Sequence, residues 1–347
     1  MKFIVVHIVP TGIGASIGGY AGDATPVTNL IAGISDFVIT HPNVVNAANF
    51  YCAYPNVLYV EGYMLDEFLM GNIGLKPVRK NKIGVVIDKS CKKFLPDIIN
   101  AINASKMTAG IDILDYIFTD KPINGMVVET VSGYGGKIEN ADTIIKTCDE
   151  LINKGAQAIA VFSYIKDIPK EAEEKYQQGK GPDPVGIIEA LISRLISYKF
   201  NIPCAHAPVF PVCNKRTIVY ERAAAEETGF TYIPCVLMGL SKAPLPVGLK
   251  KIPLNPPFFK GEDKGTYNGI NDCIFNKHVS AIVLPADALG GVPALSGLKI
   301  PIIAVKENTT VLNIDKNVLK NKEIIEVKNY LEAVGLLVAI REGIKIN

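Results

Sequence analysis

The chain has 347 residues, 48% of them hydrophobic and 20% charged, with a formal net charge of +2, which is length enough for a large core shared between two α/β lobes. So even a charge balance gives neither a disordered tail nor the footprint of a nucleic-acid binder, and Tyr51, Tyr54, Tyr59 and Tyr63 do not alternate with basic clusters as a base-stacking platform requires. Seven cysteines (Cys52, Cys91, Cys148, Cys204, Cys213, Cys235 and Cys273), odd in number and without a CxxC pair, exclude a disulfide framework and the usual structural zinc site.

The first apolar run, Phe3 to Val9, is short, contains His7 and lacks a cleavage pattern, so it reads as a buried strand rather than a signal peptide. It enters a glycine-rich loop, Pro10 to Asp23, and a helix near Pro26 to Ile34 leads to a second strand, Asp36 to Thr40. A further strand, Val57 to Val60, precedes Glu61. The turn Lys121-Pro122-Ile123-Asn124-Gly125 sets the expected boundary between an N-terminal domain, 1–125, and a C-terminal domain, 126–347. The second begins with a strand, Met126 to Thr130, a second glycine-rich loop, Ser132 to Gly136, and a helix after Asn140. That helix carries Ile144, Ile145, Cys148, Leu151 and Ile152 on one face, with Asn140 as N-cap and Gly155 as its stop. The strand Ala156 to Phe162 comes next, and the charged stretch Lys166 to Asp183 is expected as a surface excursion.

Asp183-Pro184 opens a helix with Ile188, Leu191, Ile192, Leu195 and Ile196 at helical spacing. Three Ile-Pro segments, at Ile202 to His206, Ile233 to Leu237 and Ile300 to Val305, are expected as strands begun by proline. Ala243 to Gly265 packs five prolines around Phe258-Phe259 and is expected as a loop insertion or a lid. Leu331 to Ile340 is apolar but too short to span a bilayer, so the expectation is a cytoplasmic protein with no membrane contact. Alternating strands and amphipathic helices predict an α/β fold of βαβ units, its sheets mainly parallel and arranged as two Rossmann-like lobes or subdomains.

In such a sheet, ligands bind beyond the carboxyl ends of the strands, where helix N-termini point N–H groups into a crevice. That rule selects Thr11, Gly12, Gly14, Ser16, Gly18, Gly19 and Asp23 in the first loop, and Ser132, Gly133, Gly135 and Gly136 in the second, as binders of a small anionic ligand. The spacing Gly12-x-Gly14-xxx-Gly18 departs from the dinucleotide fingerprint, and Gly136-Lys137-Ile138 lacks the hydroxyl of a phosphate-binding Walker loop. The cofactor is therefore unknown, and none is required. His41 follows the second strand, beside Asn43, and titrates near neutrality as acid–base work demands. Glu61, Asp287, Glu307 and Asn308 follow apolar strands in the same way, though turns and helix caps account for such residues too. Cys204 and His206 would share one face of an extended strand, and a thiol beside an imidazole can serve as base or nucleophile, while a buried cysteine is also simply a small hydrophobe.

The stretch Val9 to Asp23, with Thr40-His41-Pro42-Asn43 and Cys204-Ala205-His206-Ala207-Pro208, resembles a bacterial family known only as a domain of unknown function, over nearly the whole chain. Cys204-x-His206-x-Pro208 is also similar to the Cys-Thr-His-Tyr-Pro motif of aspartate/glutamate racemases. That likeness implies two cysteine bases, Cys204 and Cys52, although the family's Cys-Asn-Thr motif is absent around Cys52. The expected function is an isomerase, racemase or lyase for a small carboxylate. A transferase or binding protein for a phosphorylated or nucleotide-like ligand is the alternative, and a non-catalytic regulatory protein a third. A homo-oligomer is among the expected states.

Overall fold

A computed structural model describes residues 2–10, 14–19, 23–42, 44–45, 54–130, 133–166, 168–178, 183–209, 232–248, 272–319 and 324–345. The opening apolar run forms strand β1 (Ile4–His7), buried throughout, and Pro26 in the first turn starts helix α1 (Thr25–Ala32), where a missing N–H costs nothing. Strands β2 (Phe37–Thr40) and β3 (Val57–Tyr59) follow, then helix α2 (Gly62–Leu69), which turns Met64, Leu65, Phe68 and Leu69 inward, and strand β4 (Ile73–Lys76). Strand β5 (Lys82–Ile87) leads into helix α3 (Leu95–Ala109), stopped by Gly110 at φ 62°, and strand β6 (Asp112–Phe118).

Strands β7 (Gly125–Thr130) and β8 (Gly133–Ile138) precede helix α4 (Ala141–Asn153) and strand β9 (Ala158–Ser163). Helices α5 (Lys170–Gln177) and α6 (Gly186–Phe200) then bring the chain to strand β10 (Cys204–Pro208). Helix α7 (Ile233–Lys242), strand β11 (Leu245–Gly248), strand β12 (Val279–Pro285) and the short helix α8 (Val292–Leu295) come next. Strand β13 (Ile302–Val305), helix α9 (Lys316–Leu319), strand β14 (Ile325–Val327) and helix α10 (Tyr330–Arg341) end the described fold.

Two parallel sheets result, as the βαβ reading predicted. One has six strands in the order β14-β13-β12-β1-β2-β3, the other four in the order β10-β9-β5-β6. Period-two alternation sends Ile4, Val6 and Ile8 to the core shared with α2, and Phe3 and Val5 to the core shared with α1 and α10. In the second lobe, Val85 and Ile87 face α3 and α7, while Val86 faces α4 and α6. Both sheets are thus covered on both faces, as all-parallel sheets require.

The sheets do not part at residue 125. The six-stranded sheet takes its strands from both ends of the chain, and the four-stranded sheet pairs β5 with β9 across that position. Strand β7 is not a parallel strand leading into a loop: residues 133–138 form its antiparallel partner β8. The second glycine-rich stretch is extended by this pairing, and since a Cβ on Gly136 would lie 2.6 Å from Leu191 and 2.9 Å from Ile188, glycine lets α6 pack onto the hairpin.

The segment from Ile233 is a helix, not a strand. Proline suits its first turn, and Ile233, Val236, Leu237 and Leu240 bury one face at helical spacing. Within the charged excursion, α5 is held by the i,i+4 pairs Lys170–Glu174 and Glu171–Lys175. Of the proline-rich stretch, Leu245–Gly248 pairs antiparallel with β4, and residues 249–265 lie outside the described residues.

Candidate functional site

The carboxyl ends of the two sheets face each other across a cleft of about 480 Å³. From the first lobe, β2 delivers His41 and Pro42 at its end, β3 delivers Tyr59 and, two residues on, Glu61, and the first turns of α2 add Tyr63 and Asp66. From the second, α6 presents Glu189, Ser193, Arg194 and Ser197, β10 brings His206 to Pro208, and α7 contributes Cys235 and Val236.

The sequence of α6 explains its part. Ile188, Ile192 and Ile196 are buried against the sheet, so the neighbouring stripe Glu189, Ser193, Ser197, spaced four residues apart, turns toward the gap between the lobes.

Of the carboxyls that line the cleft, Glu61, Asp66, Glu67, Asp183 and Glu189, Glu61 and Glu189 come from opposite lobes and act on each other. Burial pushes the Glu61 carboxyl up to about 8, with the charge of Glu189 adding to the rise and a hydrogen bond from Tyr59 opposing it. Burial raises Glu189 as well, although 26% of its side chain stays accessible in the cleft. Two carboxyls in one partly dry site cannot both ionise readily, so near neutrality the pair tends to hold a proton.

Behind Glu189 stands His206, its side chain without accessible surface. Its Nδ1 lies 3.3 Å from Glu189 Oε1, and its Nε2 lies 2.7 Å from the Ser163 hydroxyl oxygen. Burial lowers the imidazole to about 3, so it is neutral and has one donor and one acceptor nitrogen. With Glu189 ionised, Nδ1–H donates to the carboxylate and Nε2 accepts from Ser163. With Glu189 protonated, the carboxyl donates to Nδ1 and Nε2–H donates to Ser163. The serine is itself only 2% exposed, which makes it the support of the ring rather than a nucleophile.

Of the residues expected from the sequence, Gly19, His41, Glu61 and His206 line the cleft. His41 is nonetheless buried and lowered to about 4 by that burial, and its ring bonds the Val9 backbone. It is neutral and held, which removes the titration near neutrality expected of it.

Gly14, at φ 57°, and Gly18, at φ 82°, shape the first glycine-rich loop, but among its described residues the amides of Ser16, Ile17 and Gly18 are already taken, Ser16 N–H by the Thr309 carbonyl. Gly18 N–H donates to Asp23 Oδ1 at 2.6 Å, and Ile17 N–H donates to Asn308 Oδ1 at 2.9 Å. Ser16 bonds the same segment, donating to the Glu307 carbonyl and to Asn308. Asn308 also donates to the Tyr330 hydroxyl, Glu307 accepts from Tyr330 N–H, and Asp287 accepts from Thr310. Asp23, Asp287, Glu307 and Asn308 therefore fasten turns in the first lobe, and neither they nor Gly14 line the cleft. Gly133, Gly135 and Gly136 belong to the β8 hairpin, away from it. Thr11, Gly12, Asn43, Cys52 and Ser132 lie outside the described residues.

Cys204 does not reach the cleft. It shares the α6-facing side of β10 with His206, as alternation predicted, but sits deeper, fully buried among Ile159, Ile188, Ile192 and Cys148. Burial pushes its thiol well above the ordinary range, so it is placed as a small hydrophobe. Among the described residues no three His, Cys, Asp or Glu side chains are grouped to hold a metal ion.

The residues that the sequence did not single out are Tyr59, Asp66, Ser163, Glu189, Arg194, Ser197 and Cys235. The one available signal was the polar stripe of α6 beside its isoleucine face.

The family described as "Protein of unknown function (DUF3326)" matches residues 4–347. An uncharacterized lipoprotein of Synechococcus sp. (strain ATCC 27144 / PCC 6301 / SAUG 1402/1) is 38% identical over 344 residues, which is 98% of this chain and 91% of that protein. The crystal structure of a periplasmic ribose ABC transporter from Conexibacter woesei DSM 14684 aligns at 10% identity over 52% of this chain and 78% of that one. Its TM-score of 0.18 carries no argument. The name lipoprotein is that relative's own and lends no support to the cytoplasmic location expected from the sequence; among the described residues no helix is long and apolar enough to cross a membrane.

Proposed function

Because the chain belongs to the DUF3326 family, whose description states no activity, we propose from the site itself that the protein is a proton-transfer enzyme of the isomerase, racemase or lyase kind. Glu61 and Glu189 act as its paired acid and base on a small polar molecule held between the lobes. The observation that carries this reading is the meeting of one half-buried carboxyl from each lobe in one cleft.

A pair that shares a proton has both forms ready near neutrality, which is where a general acid and base are most effective. The ionised carboxylate takes a proton from the substrate while its partner delivers one, so the total held by the pair is unchanged and the roles have exchanged. His206 and Ser163 follow that exchange by reversing their two hydrogen bonds. The cleft's acid surplus around Glu61 and Glu189 selects a reacting centre that is uncharged or positive. This differs from the cysteine chemistry that the racemase likeness implies, since Cys204 is walled off. A cytoplasmic location and a homo-oligomer rest on the sequence alone.

The test is proton exchange in heavy water, followed by proton NMR over a panel of small amines, amino acids, amides and polyols. The wild type is expected to wash deuterium into a C–H position of at least one compound, and E61Q and E189Q are each expected to slow that exchange by about 100-fold or more. Exchange that survives unchanged in both variants, or no exchange with any compound, overturns the assignment.

A further inference from the structure

Along α6 the cleft continues past Glu189 to Arg194 and Ser197. Ser105, Thr147 and Ser193 are helical hydroxyls that each donate to the carbonyl four residues back. Ser197 does not: it is 2% exposed, and its hydroxyl oxygen has no hydrogen-bond partner among the described residues. A buried hydroxyl left unsatisfied costs free energy that a ligand atom can restore.

One turn earlier, Arg194 lies over the Tyr63 ring at 5.6 Å and near enough to Asp66 for its charge to pull that carboxyl down against burial, while no hydrogen bond or close ion pair to a described residue takes up its donor fork. The guanidinium is the only cation among the described residues that line the cleft. A planar fork of donors beside an unused hydroxyl, on one helix face, matches a carboxylate.

We propose that Arg194 and Ser197 form a distal subsite that anchors the carboxylate of a zwitterionic substrate, with the substrate's cationic or neutral end lying between Glu61 and Glu189. The inference rests on the acid–base reading of that pair for the substrate's other end, and it moves the anion from the glycine-rich loop to α6. Glu189 and Arg194 are five residues apart, roughly 7.5 Å along the helix axis, which suits a short chain carrying an amine at one end and a carboxylate at the other.

The probes are γ-aminobutyrate and butylamine, which differ by the carboxylate, titrated calorimetrically. The wild type is expected to bind the zwitterion about tenfold or more tightly than the amine. R194Q should erase that preference, S197A should weaken the zwitterion several-fold and leave the amine unchanged, and E61Q with E189Q should weaken both compounds alike. Equal binding of the two probes by the wild type, a preference that survives R194Q, or no saturable binding of γ-aminobutyrate overturns the subsite. Butylamine binding that E61Q and E189Q leave untouched overturns the acid-pair reading instead, so the two failures are told apart.

Discussion

At the scale of single residues, the chemistry of the cleft comes from burial acting on ordinary side chains. Glu61 follows an apolar strand, and nothing in the tetrad Val57 to Val60 shows that a second carboxyl will approach it from 128 residues away; the α6 helix brings Glu189 there. The folded protein holds the Glu61 proton up to about 8, whereas the unfolded chain releases it in the ordinary carboxylate range. Its contribution to stability is therefore most favourable at acidic pH and is lost as pH rises toward 8. E61Q keeps the shape and removes the charge, so we expect the variant to be more stable than the wild type at pH 8 by about 1–3 kcal/mol, with the difference vanishing near pH 5. Urea unfolding at the two pH values checks this, and an E61Q less stable at pH 8 would contradict a raised carboxyl.

At the scale of elements, helix α7 holds the wall of the site in place. A Cβ built on Gly239 would lie 2.5 Å from the Tyr59 ring, which is itself buried and hydrogen-bonded to Glu61. The ring cannot swing away, so the helix approaches β3 this closely only with glycine at that position. G239A is expected to cost about 1–3 kcal/mol by overpacking and to lower the Glu61 titration by loosening the burial around it. Thermal unfolding measures the first effect and a carbon-13 carboxyl titration the second; an unchanged melting temperature would mean that the contact yields freely. This helix also shows how a local pattern is outvoted. Ile233-Pro234 resembles the strand starts at Ile202 and Ile300, yet only Ile233 is followed by apolar residues at three, four and seven positions on, and that spacing, with proline in the first turn, decides for a helix.

At the scale of the whole molecule, stability has to reconcile two sets of buried groups with opposite pH responses. His7, His41 and His206 are neutral in the fold and lowered to about 3, about 4 and about 3 by burial, so the stability they contribute is present above their unfolded value of 6.5 and is lost as pH falls. The carboxyl pair loses its contribution as pH rises toward 8. Asp66, raised to about 6 by burial, joins the carboxyls on the acid side and offsets much of the imidazoles' effect there, whereas above pH 6.5 the imidazoles are neutral in both states and Glu61 and Glu189 act without them, so denaturant stability is expected to peak near about pH 6.5. A profile still rising at pH 8 would show that the carboxyls titrate normally.

What the sequence determined by itself follows from local rules: the parallel α/β class from alternating strand and helix periods, the helix of Asn140 to Gly155 from its apolar face and its glycine stop, Glu61 and His41 as residues past strand ends, and His206 on a strand face. What only tertiary structure decided is partnership. Asn308, distant in the chain, takes the Ile17 amide of the first glycine-rich loop; Gly136 is extended by pairing with β7 and leaves room for α6; Cys204 is sealed by a helix that leaves its neighbour His206 in touch with a carboxylate. Periodicity is written in near neighbours, whereas burial, and with it every shifted proton and every occupied amide, depends on what the rest of the chain brings alongside.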